Sequence, residues 1–410
     1  MTAKPIEIRV SQPTVAADES TFPSYGGPPL FSWGFRPFFL GAALFAALAV
    51  PVWILIAAGA IAPDFLYPPR EWHIHEMLFG FLPAVMAGFI LTAMPNWTGR
   101  MPVRGTFLIS LWLLWLAGRL IVGMPGPVPV LAAVVDTAFL ITLAAVVWHE
   151  IAAARRWDRS PIGVLITVYA GANIVFDVLA LRGASTDLAE RAALSVLLLL
   201  LTVIGGRVTP AFTAEYLTEQ RSTARPAAFS RFDGLSMLLV FAAALAWIVQ
   251  PEGAAAGALF IFAGIANLLR VSRWRGWLAW GEPLVLMLSI GYGWSALSLL
   301  ALGGAAFALV PAANAVHVLT SGAVGSMTLA IMTRASLGHT GRPRHADFMT
   351  LVIYVLVNLG AILRVAAPAS ATGSGMTILW LGIAALAWSG AYLLFALVYG
   401  PMLIRPSLDE

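Results

Sequence analysis

From Arg36 to Tyr399 the chain is a succession of apolar runs, each about as long as a bilayer is thick, parted by short breaks of Gly, Pro and Arg. A chain in lipid must satisfy every backbone polar group internally, and a run of roughly 20 apolar residues does so as one helix. Hydrophobic residues are 60% of the sequence and charged residues 11%, which excludes an ordinary soluble domain. The pattern predicts an all-α polytopic membrane protein.

Twelve runs are expected. They are Arg36 to Ile61, Trp72 to Asn96, Gly105 to Gly123, Val128 to His149, Pro161 to Leu181 and Leu188 to Val208. They continue as Gly234 to Gln250, Gly253 to Leu269, Glu282 to Leu302, Val310 to Thr333, Phe348 to Ala367 and Met376 to Tyr399. With the N-terminus placed inside, 19 of the 24 basic residues fall in inner segments. Four, Arg70, Arg182, Arg191 and Arg364, fall in outer ones, and Arg119 lies inside span 3. That bias alternates loop by loop, as positive-inside topology requires. Both termini are therefore expected in the cytoplasm. Residues 1–31 read as a flexible cytoplasmic tail without a signal peptide, 32–400 as the membrane domain, and 401–410 as a cytoplasmic tail. The net charge of +4 reports loop topology, not nucleic-acid binding.

Spans 2 and 10 share a register. His75 precedes Thr98-Gly99-Arg100 by 23 residues, and His317 precedes Thr340-Gly341-Arg342 by the same 23. Gly205-Gly206-Arg207 in span 6 is a fainter echo. Spans 2, 6 and 10 are four apart, so three four-helix repeats about an axis along the membrane normal are expected.

This topology gathers ionisable residues in the outer half of the membrane: His73, His75 and Glu76 on span 2, Arg119 on span 3, Asp136 on span 4, Asp177 on span 5 and His317 on span 10. Such groups are costly in lipid and mark function more often than packing. The reading pairs His75 with His317 as first ligands and takes His73 third. Residues at i and i+2 on a helix point in nearly opposite directions. His73 and His75 therefore serve two centres flanking span 2, or one is a ligand and the other lies at the interface. Imidazole suits haem iron and copper. Glu76, Asp136 and Asp177 are expected to tune ligands, relay protons or join helices by hydrogen bonds. Arg119 is expected to hold an anionic group such as a propionate. His339 lies about a bilayer away, in a separate inner-side position with Arg334 and Arg207; a rigid turn, a second metal or a quinone or anion pocket are the readings there. His149 and His345 read as solvated. The sequence holds no cysteine, which excludes disulfides, thiolate-held clusters and c-type haem attachment. A b-type haem is therefore expected over a c-type one. No phosphate loop, His-Glu-x-x-His helix or dinucleotide glycine pattern occurs.

Several motifs together resemble the NnrS family, bacterial membrane proteins associated with nitric oxide and denitrification. The carriers are Gly34-Phe35-Arg36-Pro37-Phe38-Phe39, Trp72-His73-Ile74-His75-Glu76-Met77-Leu78-Phe79-Gly80, Pro95-Asn96-Trp97-Thr98-Gly99, and Gly205-Gly206-Arg207-Val208-Thr209-Pro210-Ala211-Phe212-Thr213. Others are His317 with Gly322 and Gly325, and Ser336-Leu337-Gly338-His339-Thr340-Gly341-Arg342-Pro343. The resemblance runs from Ser32 onward. It implies haem and copper and a role in protection from nitrosative stress. One place departs from the family pattern: a His is expected in the span 5 motif, where this chain reads Ala172-Asn173-Ile174-Val175-Phe176-Asp177; if that His holds a metal in the family, the site here is altered or one metal short.

A looser likeness is to haem–copper oxidases and nitric oxide reductases, which also have twelve spans in three arcs. This chain lacks their His pair on span 7 and their His on span 6, so the likeness carries no oxygen chemistry. The expectation is an inner-membrane haem or haem–copper protein of nitric oxide handling, its metal site near the outer leaflet. Its partners would be the lipid bilayer, nitric oxide or a related small molecule, and a quinone or redox partner. The alternative is a small-solute or ion transporter or channel with an outer-leaflet polar site; a sensor or assembly factor is a third class.

Overall fold

The computed structural model describes residues 22–124, 129–367 and 375–408. Among them there is no strand. Eleven helices are long and apolar enough to cross a membrane. In chain order the helices are α1 (Phe35–Ala57), α2 (Pro69–Thr98), α3 (Thr106–Val122), α4 (Pro129–Ala153), α5 (Ser160–Leu181) and α6 (Asp187–Glu219). They continue as α7 (Arg231–Val249), α8 (Ala254–Arg273), α9 (Pro283–Ala306), α10 (Ala312–Gly338), α11 (Phe348–Ala366) and α12 (Gly375–Ile404). Each expected apolar run corresponds to one of these. The exception to the length criterion is α3, an apolar helix of 17 residues. The expected start of span 4, Val128, lies outside the described residues, as do residues 1–21 of the expected N-terminal tail.

Helix ends follow local chemistry. Ser230 and Asp233 close a capping box at the start of α7. Asp347 accepts the Thr350 amide at the start of α11, and Glu282 accepts the Leu284 amide at the start of α9. Gly99, in the left-handed region at φ 70°, ends α2. Several ends run past their expected positions, among them those of α6 and α12. Span 6 runs on through Pro210 to Glu219, because Ala211 to Leu217 are acceptable helix formers and only Gln220 and the residues after it break the pattern. At the other end of the chain, α12 continues to Ile404, and the segment beyond it is pinned. Arg36, fully buried, donates to the carbonyls of Leu403 (3.2 Å) and Arg405 (2.6 Å) and to the Ser407 hydroxyl (2.7 Å).

The two helices at the centre are α2 and α10, whose most apolar windows are 83% and 72% buried. The first helix, α1, packs on α2, α10 and α12, so the two ends of the chain lie together. On the other side α9 packs against α6, α8 and α10. Close approach is set by small residues: a Cβ on Gly360 of α11 would stand 2.6 Å from the Trp388 amide nitrogen of α12.

Three helices contain a π-helical segment: Glu76–Phe81 in α2, Leu201–Gly205 in α6 and Val318–Val324 in α10. Widening the helix withdraws carbonyls from the i−4 ladder, and in lipid each needs another donor. Neighbouring helices supply them. Trp115 donates to the Gly80 carbonyl at 2.9 Å, and the Tyr169 hydroxyl donates to that of Leu78. Arg270 donates to Thr202 at 3.2 Å, and Trp388 to Ser321 at 3.1 Å. In α2 and α10 the π segment begins one residue after His75 and one after His317, so the register shared by these helices extends to their backbone irregularity. It does not extend to α6, where the π segment ends within the Gly205-Gly206 step itself.

Candidate functional site

The π segment of α2 begins at Glu76, directly after His75, and both side chains are fully enclosed. Around them α3 supplies Arg119, α4 supplies Asp136, and α5 supplies Asn173 and Asp177. All six are buried. Asn173 and Asp177 are four residues apart and therefore share one face of α5.

The bonds form a closed cluster. His75 Nδ1 is 3.2 Å from Glu76 Oε1. His75 Nε2 is 3.1 Å from Asp136 Oδ2 and 3.2 Å from Asp177 Oδ1. Arg119 spans the far side, donating to Glu76 Oε2 at 2.6 Å and to Asp136 Oδ1. The Asn173 amide donates to Asp136 Oδ2 at 3.1 Å and to Asp177 Oδ1 at 3.4 Å. The rings of Tyr67, Phe176 and Phe79 lie 5.0, 5.5 and 5.6 Å from that of His75 and wall it off. The Tyr67 hydroxyl lies near Asp177 without closing a hydrogen bond of normal geometry. Asp177 Oδ2 and Asn173 Oδ1 are buried without a hydrogen-bond partner.

His73 goes elsewhere. Its ring stacks on Trp53 of α1, with centroids 4.7 Å apart and planes 13° apart. It is an electrostatic neighbour of His317, and both feel the positive charge of Arg364 on α11. His317 Nδ1 is 2.7 Å from the Ala313 carbonyl. A carbonyl only accepts, so Nδ1 carries the proton and Nε2 presents a lone pair. Among the described residues Arg364 makes no ion pair. The structure thus separates the sequence-predicted residues into two clusters on two sides of α2: His75 with Glu76, Arg119, Asp136 and Asp177, and His73 with His317. His317 is not among the groups in contact with His75, and the charged or ionisable groups near it are Arg364 and His73.

At the opposite end, the His339 ring is stacked on Trp33 at 5.8 Å and tilted against Phe35 at 5.5 Å. His149 is largely exposed. His345, expected to be solvated, is exposed yet holds Glu282 Oε2 at 2.5 Å. Nearby a cavity of about 250 Å³ is lined by Phe212, Glu215, Tyr216, Glu282, Arg334 and Arg344. Glu215 bridges Arg334 (2.8 Å) and Arg344 (3.1 Å), and the Arg334 guanidinium lies 3.8 Å over the Phe212 ring.

Sequence reasoning missed Asn173 and Tyr67. The i, i+4 spacing of Asn173 from Asp177 was a usable signal. Tyr67, in the loop before α2, offered none. Among the described residues one set of three ligand-type side chains could hold a metal ion: His75, Asp136 and Asp177, with one ligand atom of each within 4.8 Å of the others.

Residues 29–407 match the family model described as NnrS protein. Among proteins of curated function, none matches the chain closely enough to add a relative.

Proposed function

Because the chain belongs to the NnrS family, we propose that it is a bacterial inner-membrane haem protein of nitric oxide handling, its haem held at the outer ends of α2 and α10. The observation that carries this reading is the electrostatic nearness of His73, His317 and Arg364. Three features there suit b-type haem. His317 has its Nδ1 fixed by the Ala313 carbonyl, the arrangement that orients a metal-bound imidazole and leaves Nε2 as the ligand. His73 is held face to face with Trp53, which fixes its ring plane. Arg364 has no carboxylate partner among the described residues and is free to pair with a propionate. With no cysteine in the chain, the haem would be held without covalent attachment. When bound, haem iron supplies a site for nitric oxide and for one-electron chemistry.

His75 is assigned to a different role. Both of its ring nitrogens face carboxylates, and three aromatic rings close in on it. No face of that ring is left for a porphyrin.

The test is the absorption spectrum of the purified protein in detergent, with and without nitric oxide. A Soret band that shifts with nitric oxide is expected, reduced or displaced in His73→Ala and His317→Ala and kept in His149→Ala. A protein without a Soret band and without metal by elemental analysis would overturn the reading and favour a transporter or channel with an outer-leaflet polar site. A band unchanged in both His73→Ala and His317→Ala would remove these ligands.

A further inference from the structure

The geometry points to a second, non-haem site: we infer that His75, Asp136 and Asp177 bind one divalent cation of the hard-to-borderline class, such as Zn²⁺ or Mn²⁺. The inference does not rest on the haem reading, since it uses none of the same residues.

The first argument concerns the tautomer. Glu76 Oε1 lies 3.2 Å from His75 Nδ1, and an ionised carboxylate only accepts. In the neutral tautomer that donates to Glu76 from Nδ1, Nε2 presents a lone pair. That lone pair faces two carboxylate oxygens, Asp136 Oδ2 at 3.1 Å and Asp177 Oδ1 at 3.2 Å. Three electron-rich atoms converge on one point, which demands a positive centre there. The Asn173 amide nitrogen lies against all three, 3.4 Å from Nε2, and brings N–H groups but no full charge; a second proton on His75 or a metal ion meets the rest of the demand. A carboxylate on the far nitrogen is also how protein sites orient a ligating histidine.

With all three carboxylates ionised, charge favours the ion. Glu76, Asp136 and Asp177 contribute three negative charges, and Arg119 contributes one positive. A protonated His75 leaves the buried cluster one negative charge in excess. A divalent cation with neutral His75 brings it to zero. Ionised groups this deep are tolerated only when their charge is compensated.

A third observation is independent of both. Asp177 Oδ2 and Asn173 Oδ1 are buried and have no hydrogen-bond partner. An ionised carboxylate oxygen cannot donate, and a cation beside Asp177 gives Oδ2 a partner; the Asn173 amide, whose nitrogen faces His75 Nε2 (3.4 Å), Asp136 Oδ2 and Asp177 Oδ1, would bring its unpartnered Oδ1 to the ion by turning over. Arg119 does not compete, because it takes Glu76 Oε2 and Asp136 Oδ1 and leaves Asp136 Oδ2 for the ion.

The geometry fits as well. Ligand atoms about 2.0–2.1 Å from a tetrahedral ion are about 3.3 Å apart, close to the observed 3.1 and 3.2 Å. The donor set is one imidazole nitrogen with carboxylate and amide oxygens, and it contains no sulfur. Soft cuprous ion prefers thiolate and thioether ligands, so this set disfavours it. The copper that the family resemblance implies thus finds no soft site here.

The experiment uses the full chain in detergent, stripped with a chelator and titrated with Zn²⁺ by calorimetry and with Co²⁺ by visible spectroscopy. The expected result is one ion per chain, with Zn²⁺ displacing Co²⁺ and with the visible bands of low-symmetry Co²⁺. Asp177→Asn and His75→Gln should each weaken binding at least 100-fold while the circular dichroism and gel-filtration profiles stay native. Asp177→His, which replaces an oxygen ligand with a nitrogen one, should retain binding and change the Co²⁺ spectrum. Natively folded wild-type protein that binds no ion stoichiometrically would overturn the inference and leave a protonated His75 as the positive centre. Binding unchanged in both Asp177→Asn and His75→Gln would overturn it too, by moving the ion elsewhere. A Soret band is read separately, so loss of haem and loss of this ion are distinguishable.

Discussion

Arg119 and Asp136 join α3 to α4 through a buried ion pair, and the same guanidinium reaches Glu76 of α2 at 2.6 Å. One cation therefore ties three helices to the start of the α2 π segment. Removing one partner of such a pair leaves uncompensated charge in a low dielectric, which costs about 3–5 kcal/mol. Arg119→Met should lower the thermal midpoint in detergent markedly. Arg119→Lys keeps the charge but loses the fork that serves two carboxylates, and should fall between. A midpoint for Arg119→Met equal to wild type would show that Glu76 and Asp136 do not depend on this cation.

Gly80 is where this cluster meets the π segment. A Cβ there would stand 2.4 Å from an Arg119 guanidinium nitrogen and 2.9 Å from Glu76 Oε2. Gly80→Ala should push the two apart at a cost of about 1–3 kcal/mol. Gly171→Ala, on α5 with nothing within 4 Å of the added carbon, is the control and should leave the midpoint unchanged or slightly raised. Equal midpoints for the two variants would contradict the packing described for Gly80.

A parallel arrangement surrounds the α6 π segment. Arg270 of α8 bonds Asp233 of α7 at 3.0 Å, the Tyr292 hydroxyl of α9 at 2.7 Å and the Thr202 carbonyl in the α6 π segment at 3.2 Å. Tyr292→Phe removes two hydrogen bonds, one from the Arg270 guanidinium, about 1.5–3 kcal/mol, and one to Asn267 Oδ1 at 2.7 Å, whereas Arg270→Met strands the charge of Asp233. The second variant should be the more damaging by thermal melt, and Asp233→Asn combined with Arg270→Met should recover part of the loss. No recovery in the double variant would mean that Asp233 draws its compensation from Arg273, which lies 3.4 Å away.

How much of this was legible follows from what lipid does to a sequence. The bilayer imposes length and apolarity on each helix, so the twelve runs could be read directly, and the basic residues marked their ends. The burial of His75, Glu76, Arg119, Asp136 and Asp177 was legible for the same reason. Which of them touch was only partly so. The opposite directions of His73 and His75 follow from helical geometry, but their partners depend on how α1, α4, α5 and α10 are arranged around α2, and periodicity carries no such information. The π segments were invisible because they exist by virtue of donors such as Trp115, Arg270 and Trp388, each contributed by another helix. The continuation of α6 to Glu219 was hidden by Pro210, which reads as a breaker until the π segment before it is known to loosen the backbone.

Arg36 supplies a test at the other end of the fold. Its bonds to Leu403, Arg405 and Ser407 hold the segment after α12 against the start of α1. Arg36→Gln should expose residues 405–408 to carboxypeptidase and raise their amide exchange, while the exchange of α5 stays as it was. Protection unchanged at residues 405–408 would show that the segment is held without Arg36, through the bonds of Ser407 to the His339 carbonyl (3.3 Å) and of the Leu408 amide to the Thr340 carbonyl (3.1 Å).

Topology can be tested cleanly because the chain has no cysteine to mask. Positive-inside bias predicts that the α5–α6 connection is outside and the segment after α6 is inside. Both carry exposed hydroxyl residues, Ser185 and Thr223. Ser185→Cys should react with a membrane-impermeant maleimide on intact spheroplasts, and Thr223→Cys only after the membrane is opened. The site would then lie toward the outer face, because Asp177 is eight residues before Ser185 on the helix leading to it. The reverse labelling pattern would invert the chain in the membrane, placing His75 and His317 near the cytoplasm and the cavity beside Arg334 at the outer face. The two clusters beside α2 would keep their chemistry, but the direction from which nitric oxide or a cation reaches them would change.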